Sequence, residues 1–238
     1  MKLNINEIYG IVKQGEGKSS GKDVSFLRLA GCNLACSWCD TPYTWNWIGT
    51  KFSHPDKFDP MKEVHFMETV EVKAELDKIG VKAVVISGGE PLLQQKALYP
   101  LVKSLKEDGY WVEIETNGTI TPSPEFLELI DQVNCSPKLS NSGKDNRPEM
   151  RERPVALYAL ASSPKVSFKW VVTCDKDLEE VNALISKYNM KENYLMPEGK
   201  TRAEQLARQD VVKKLCEEKG FHFSPRLHML QNDTARKG

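Results

Sequence analysis

The chain has 238 residues, of which 40% are hydrophobic, and this length and composition suit a single compact domain spanning residues 1–238. Lys plus Arg and Asp plus Glu both number 33, so the formal net charge is zero and nothing favours a nucleic-acid or membrane partner. No apolar run approaches the ~20 residues of a membrane span, and the N-terminal sequence lacks the apolar region of a signal peptide. We therefore expect a cytoplasmic protein with reduced thiols.

Strand patterns and helical patterns alternate along the chain. The predicted strands are 24–29, 83–86, 110–115, 132–135, 166–173, 193–196 and 221–223. The predicted helices are 67–79, the stretch from Pro91 to Leu105, 124–130, 177–188 and 201–219, the last with Thr201 and Glu204 as a capping box. Two stretches near 45–65 and 138–165 break this rhythm, and we interpret them as irregular insertions that act either as lids or as mobile connections.

This alternation predicts an α/β fold whose parallel strands are joined by right-handed crossovers. The repeats are too few for an eight-fold barrel, so we expect a partial, modified (β/α) barrel. Ligands in such folds bind at the carboxyl ends of the strands. Apart from the segment 14–17, the motifs described next each follow a predicted strand.

Three cysteines lie within eight residues after the first predicted strand, at Cys32, Cys36 and Cys39. Each iron of a cubane cluster normally takes one thiolate, so three thiolates would leave one iron open to chelate a small molecule. Structural zinc is the alternative; it needs a fourth ligand, for which His54 and Cys135 are candidates without finger-like spacing. The remaining cysteines are interpreted as small buried hydrophobic residues: Cys135, Cys174 and Cys216.

The C-x3-C-x2-C spacing resembles the cluster loop of the radical S-adenosylmethionine (SAM) superfamily. The resemblance implies a [4Fe-4S] cluster whose open iron binds SAM and whose electron splits it. It also implies that Trp38 lies near the adenine and that Gly89 lets the backbone approach SAM closely. The implied SAM-binding residues are Ser37, Trp38, Gly89, Glu90, Glu115, Asn117, Ser136, Pro137 and Lys138.

The N-terminal segment narrows the resemblance to one family. Gln14-Gly15-Glu16-Gly17, Asp40-Thr41 and Ser136-Pro137-Lys138 resemble motifs of 7-carboxy-7-deazaguanine synthase, an enzyme of queuosine precursor (7-deazapurine) biosynthesis. The resemblance implies a lyase that converts 6-carboxy-5,6,7,8-tetrahydropterin to 7-carboxy-7-deazaguanine with release of ammonia. SAM is regenerated in that reaction.

The same resemblance implies a substrate site and a magnesium ion. Gln14 can pair with a pterin edge, Glu16 can accept from pterin N–H groups, and Arg28 can hold the substrate carboxylate in a bidentate fork. Thr41 matches the magnesium position; substrate and water would complete the octahedron, so no tight Mg²⁺ site is expected without substrate. No residue is assigned as a catalytic acid or base. The implied substrate-binding residues are Val12, Lys13, Gln14, Glu16, Arg28, Ser87 and His228.

The resemblance further implies a flavodoxin or ferredoxin as electron donor and a homodimer. Two alternatives stay open. A radical SAM activating enzyme would install a glycyl radical on a partner protein and would not require Gln14, Glu16 or Thr41. A non-catalytic zinc or iron–sulfur sensor protein would supply four protein ligands to its metal and would not bind SAM.

Overall fold

The computed structural model describes residues 1–232. Nine strands form one mixed sheet: β1 Lys2–Lys13, β2 Asp23–Leu29, β3 His65–Glu68, β4 Ala83–Gly88, β5 Trp111–Thr116, β6 Gln132–Cys135, β7 Val166–Val172, β8 Asn193–Pro197 and β9 His222–Phe223. The α-helices are α1 Pro60–Glu63, α2 Thr69–Ile79, α3 Gln95–Glu107, α4 Pro124–Leu129, α5 Pro148–Arg151, α6 Pro154–Ala161, α7 Asp177–Tyr188, α8 Arg202–Lys219 and α9 Leu227–Asn232.

The strand order β3-β1-β2-β4-β5-β6-β7-β8-β9 leaves the sheet open, with β3 and β9 at its edges. Every pair from β2 through β9 is parallel, whereas β1 pairs antiparallel with β2 and β3. This arrangement confirms the predicted partial (β/α) barrel with parallel strands. It also places the carboxyl ends of the seven parallel strands on the same side of the molecule, at one end of the strands.

The two faces of the parallel strands differ in polarity. Successive side chains of a strand point to opposite faces. In β5, Val112 and Ile114 belong to the main hydrophobic core, while Glu113 and Glu115 alternate with them. The same alternation recurs in β7, where Phe168 and Trp170 lie in the core and Ser167 and Lys169 face the other way. One face of the sheet thus packs the helices, and the other carries buried polar groups.

The N-terminal strand β1 was not predicted. Its register against β2 shifts between Ile5 and Glu7 and again between Tyr9 and Val12. Each bulge inserts a residue and reverses which side chains face inward. The alternation of apolar and polar residues that marks a strand is therefore broken twice within twelve residues.

Other boundaries differ where local capping decides them. The helix predicted from Met67 begins instead at Thr69, because Glu68 and Glu71 form a capping box and residues 65–68 pair with β1 as β3. The capping box of Thr201 and Glu204 is confirmed.

The irregular insertions contain short helices, namely α1 in the first and α5 and α6 in the second. The interpretation of Cys174 as a buried thiol is wrong, since it is exposed in the turn after β7, whereas Cys135 and Cys216 are buried. Among the described residues, no helix combines the length and apolarity that crossing a bilayer requires.

Candidate active site

A cavity of about 490 Å³ lies at the carboxyl ends of the parallel strands. Side chains from the cysteine loop after β2, from the ends of β4, β5, β6 and β8, and from α9 line it together with the segment after β1. The predicted residues that line it are Lys13, Gln14, Glu16, Arg28, Cys32, Cys36, Trp38, Cys39, Thr41, Ser87, Gly89, Glu115, Asn117, Ser136, Lys138 and His228. The structure thus brings most of the predicted site into one space.

The cysteine loop places three free thiols at the cavity wall. Burial raises the pKa of the Cys36 thiol to about 12 and also raises the pKa values of Cys32 and Cys39. Thiols that resist ionisation need the charge of a metal to become thiolates. Nearby N–H groups would stabilise the sulfur charge: Leu34 N lies 3.5 Å from Cys32 Sγ, and the Asn146 amide 3.1 Å from Cys36 Sγ.

This donor set suits an iron–sulfur cluster better than a single ion. Within residues 1–232, no group of three or more His, Cys, Asp or Glu side chains is arranged to hold one metal ion. A cubane cluster makes no such demand, because each thiolate binds a different iron. The two candidates for a fourth zinc ligand have other contacts. Cys135 is buried beneath Gly118. His54 Nε2 lies 3.1 Å from the Cys39 carbonyl oxygen.

The two glycines after β4 let the backbone pack directly against the cysteine loop. A Cβ at Gly89 would lie 2.0 Å from the Gly31 carbonyl oxygen, and one at Gly88 would lie 2.1 Å from that of Leu29. Glu90, predicted to contact SAM, is buried and does not line the cavity. Its carboxylate accepts bonds from Leu92 N, Thr116 Oγ1 and Asn117 N, and so joins the ends of β4 and β5.

Some of the residues predicted to bind SAM around Trp38 and Lys138 line the cavity, and others do not. Trp38 donates its indole N–H to Asn141 O at 2.9 Å, and the Lys138 ammonium lies 5.7 Å from the ring centroid. Lys138 also donates to Ser136 Oγ at 2.8 Å. Ser37 and Pro137 do not line the cavity; Ser37 bonds instead to Ser142 O. Their predicted contacts with SAM stay predictions.

A buried charged cluster forms part of the cavity wall. Glu16 accepts from Lys169 Nζ at 2.8 Å and from Arg226 Nε at 3.0 Å, and His228 Nε2 lies 3.8 Å away. Burial opposes ionisation of Glu16, but Lys169 and Arg226 outweigh it and hold the pKa of this carboxyl below its ordinary value. Burial lowers the pKa of His228, which favours the neutral imidazole.

Glu115 belongs to this charged cluster by its contacts. Its carboxylate accepts from Lys169 Nζ at 3.0 Å and from Ser87 Oγ at 2.7 Å. Both partners lie among or beside the predicted substrate residues, although Glu115 was predicted to bind SAM. Asn117, the residue directly after β5, instead faces the cysteine loop, where its amide donates to Asn33 Oδ1 at 3.0 Å.

Arg28 is held in place by two neighbours on β1. Its Nε donates to Glu7 Oε1 at 2.8 Å, and one terminal nitrogen donates to Tyr9 Oη at 2.9 Å. Burial opposes its charge, but Tyr43, Tyr9 and Glu7 raise the pKa of the guanidinium further above its already high value. The side chain is therefore a fixed cation, and its remaining N–H groups can serve a carboxylate ligand.

Gln14 is fully engaged on its donor side. Its Nε2 donates to Glu113 Oε1 at 2.5 Å and approaches Glu115 Oε1 at 3.4 Å, while Glu16 N donates to its Oε1 at 3.3 Å. The carbonyl can accept one further donor from a pterin. Burial and the charge of Glu115 raise the pKa of Glu113 to about 7.

The last predicted residues lie at the margins of the cavity. Thr41 lines it with its hydroxyl 3.7 Å from Cys39 Sγ, and the adjacent Asp40 pairs with Arg226. Lys13 pairs with Asp23 at 2.8 Å on the surface. Val12 packs against the small cluster of Val24, Phe26, Ala83 and Val85 rather than lining the cavity. Residues 233–238 of the C-terminal tail lie outside the described residues.

Several lining residues were missed from the sequence, namely Tyr9, Lys169, Lys200 and Arg226 as a charge partner. Lys169 had a readable signal, because a lone ammonium stands in the fully buried strand VSFKWVV. A charge at such a position is almost always paired. Tyr9 had none, since it lies between two register shifts of β1.

Comparison with known proteins agrees with the site. The Radical SAM superfamily pattern matches residues 27–140. The 7-carboxy-7-deazaguanine synthase of Pyrobaculum aerophilum is 34% identical over 99% of this chain and 97% of its own length. This chain belongs to the 7-carboxy-7-deazaguanine synthase family. The synthase of Halobacterium salinarum is also 34% identical, over 98% of this chain and 91% of its own.

A solved structure shares the fold of this family member. QueE from Escherichia coli superposes with a TM-score of 0.67, covering 94% of this chain and 93% of its own at 24% identity. The family membership makes the protein an enzyme of the radical SAM type, for which a [4Fe-4S] cluster and SAM are the expected cofactors.

Proposed function

We infer that the protein converts 6-carboxy-5,6,7,8-tetrahydropterin to 7-carboxy-7-deazaguanine and ammonia. The names of its relatives support this assignment. The observation that carries it is structural: the cysteine loop and the group of Gln14, Glu16 and Arg28 line the same cavity. The cluster and SAM, when bound, supply one-electron chemistry that begins and ends with intact SAM.

The residues of the chain bind and orient the reactants. Arg28 is the fixed cation for the substrate carboxylate, and the ionised Glu16 accepts from pterin N–H groups. Lys169 pairs with both Glu16 and Glu115, and Arg226 is a second cation beside Glu16. Each carboxylate that faces the ring therefore has a cationic partner. Such fixed geometry is what positions a substrate hydrogen for abstraction and excludes water.

The cysteine loop is the part that would hold the cluster. Three thiols on one loop would hold three irons, and the backbone at Gly89 lies against that loop, where it can meet the amino acid part of SAM. We further propose that Thr41 contacts Mg²⁺ only together with substrate, because a single hydroxyl leaves the octahedron of that ion unfilled.

The reaction is tested with protein reconstituted anaerobically with iron and sulfide. Dithionite, SAM, Mg²⁺ and the pterin are added, and the mixture is followed by mass spectrometry. We expect a product lighter than the pterin by one ammonia, with the amount of SAM unchanged. Cys36→Ala should abolish product, whereas Cys174→Ala, an exposed thiol outside the cavity, should not.

The other outcomes separate the alternatives. Cleavage of SAM with an unchanged pterin would point to an activating enzyme with a protein substrate. Loaded wild-type protein that changes neither SAM nor pterin would overturn the catalytic assignment. Four expectations stay predictions: a flavodoxin or ferredoxin donor, a homodimer, cytoplasmic localisation and the lack of nucleic-acid or membrane partners. Pull-down experiments test the donor, and size-exclusion measurements test the dimer.

A further inference from the structure

Two segments outside the barrel contact the cysteine loop from separate parts of the chain. We call residues 45–58 and 139–146 the flanking segments. The first supplies Trp45, whose indole Nε1 lies 3.3 Å from Cys39 Sγ. The second supplies Asn146, whose amide Nδ2 lies 3.1 Å from Cys36 Sγ. Two of the three sulfurs therefore each receive an N–H group from a flanking segment.

The orientation of Asn146 is fixed by its other bonds. Its Oδ1 accepts from Ala35 N at 2.7 Å, within the cysteine loop itself. Since a backbone N–H can only donate, the carbonyl end must face Ala35 and the NH₂ end must face Cys36. Asn146 is 4% exposed, so these groups are buried away from solvent.

The side chain of Trp45 is also fixed in position by its contacts. It is 5% exposed, and its ring packs edge-on against Phe52 and His54, with centroids 5.7 and 6.0 Å away. His54 in turn binds the carbonyl oxygen of Cys39 at 3.1 Å. Because an indole N–H is a donor only, its contact with Cys39 is a bond to sulfur.

The flanking segments are also joined to each other. Asp145 Oδ2 accepts from both the backbone N–H and the hydroxyl of Ser53, each at 2.6 Å. Ser37, between Cys36 and Cys39, donates its N–H to Ser142 O at 2.9 Å. The two segments thus form a connected frame around the loop, which neither a simple lid nor an unattached connection would require.

We propose that Trp45 and Asn146 are positioning residues that raise the reduction potential of the cluster and help retain it. Reduction by one electron adds negative charge to the cluster and its thiolates, and N–H donors to sulfur favour the state with more negative charge. This inference rests on the proposed function only in that the three cysteines hold the cluster.

The test measures the potential rather than turnover. Trp45→Phe keeps the ring and removes the donor; Asn146→Asp keeps the acceptor for Ala35 N and replaces the donor with an oxygen. Trp47→Phe, on the same segment but outside the cavity, and Asn189→Asp, on the surface after α7, are the matched controls. Reconstituted proteins are titrated with dithionite and followed by electron paramagnetic resonance, and iron is counted after gel filtration.

We expect a more negative potential and faster loss of iron in Trp45→Phe and Asn146→Asp, with both controls like wild type. Circular dichroism of each protein before reconstitution shows whether it folds. Potentials in both folded variants equal to those of the controls would overturn the inference and leave the proposed function standing. Wild-type protein that takes up no cluster would overturn both.

Discussion

At the scale of single residues, the site depends on a few buried charges with fixed partners. Arg28 is held by Glu7 and Tyr9, and Glu16 by Lys169 and Arg226. Charged groups are expensive to bury, and each of these is compensated by an opposite charge or a hydrogen bond. Substitutions that keep charge but change geometry therefore separate positioning from electrostatics.

Replacing Arg28 by Lys tests the bidentate role. Lysine keeps the charge but loses the planar fork, and a charge-assisted bond contributes about 1.5–3 kcal/mol. We expect kcat/KM for the pterin to fall about 10- to 100-fold, mainly through KM, in steady-state assays. Arg208→Lys, on the outer surface of α8, should leave both constants unchanged. An unaltered KM in Arg28→Lys would remove this residue from the substrate site.

Thr41 tests the magnesium assignment. Thr41→Val keeps the shape and removes the hydroxyl, whereas Thr41→Ser keeps the oxygen. We expect the stimulation of turnover by Mg²⁺ to disappear in the valine variant and persist in the serine variant, while iron content stays equal in both. If Thr41→Val responds to a Mg²⁺ titration as wild type does, the ion binds elsewhere.

Glu113 makes the stability depend on pH. Its pKa is raised to about 7 in the folded protein, by burial and by the charge of Glu115. The folded state therefore binds a proton that the unfolded state has already released, so this group costs stability as pH rises from about 4.5 to 7. Glutamine mimics the protonated form. The free energy of unfolding of Glu113→Gln, relative to that of wild type, should therefore be up to about 3 kcal/mol higher at pH 8 than at pH 4.5.

Urea unfolding of the cluster-free protein at both pH values measures that gain. Glu217→Gln, exposed on α8, is the matched control and should show no pH-dependent difference from wild type. Equal gains for Glu113→Gln at the two pH values would show that folding does not shift the pKa of this carboxyl.

At the scale of elements, the close contact between the end of β4 and the cysteine loop requires a residue without a Cβ at position 89. Alanine at Gly89 would place its Cβ 2.0 Å from the Gly31 carbonyl oxygen, so the loop must move. We expect Gly89→Ala to bind less iron on reconstitution and to bind SAM more weakly in equilibrium dialysis. Gly49→Ala, where no atom lies within 4 Å of the added Cβ, carries only the strain of its left-handed backbone and should bind both normally.

The sequence predicts the parallel strands well because each is a short apolar run ended by polar or glycine residues. It predicts the site for the same reason, since motifs at successive strand ends must converge. It fails for β1, whose bulges reverse the alternation, and for Lys169, whose partners Glu16 and Glu115 lie more than fifty residues away. The N–H···S contacts of Trp45 and Asn146 cannot be predicted from hydrophobic periodicity, because the irregular segments that contain these residues have no such periodicity.

At the scale of the whole molecule, Arg226 joins three distant parts of the chain. It binds Glu16 after β1, Asp40 in the cysteine loop and the Gly199 carbonyl after β8. Removing one member of a buried ion pair leaves an uncompensated charge and typically costs about 3–5 kcal/mol. We expect Arg226→Met to lose stability of that order in urea unfolding and to bind the pterin poorly.

The control for Arg226 is another arginine pair. Arg208 binds Glu198 with its side chain 38% exposed, and Arg208→Met should cost less than about 1 kcal/mol. If the two variants lose similar stability, Arg226 contributes by packing alone. Pterin affinity, measured by equilibrium dialysis, would then be the same in both.

The contact between Glu16 and Arg226 spans 210 positions of sequence. During synthesis the N-terminal part of a chain leaves the ribosome first, and contacts between distant residues form last. The cysteine loop and the carboxylate of Glu16 therefore emerge long before the arginine that completes the wall between them. Until Arg226 emerges, the nascent chain carries its three thiols beside a cavity whose wall is incomplete.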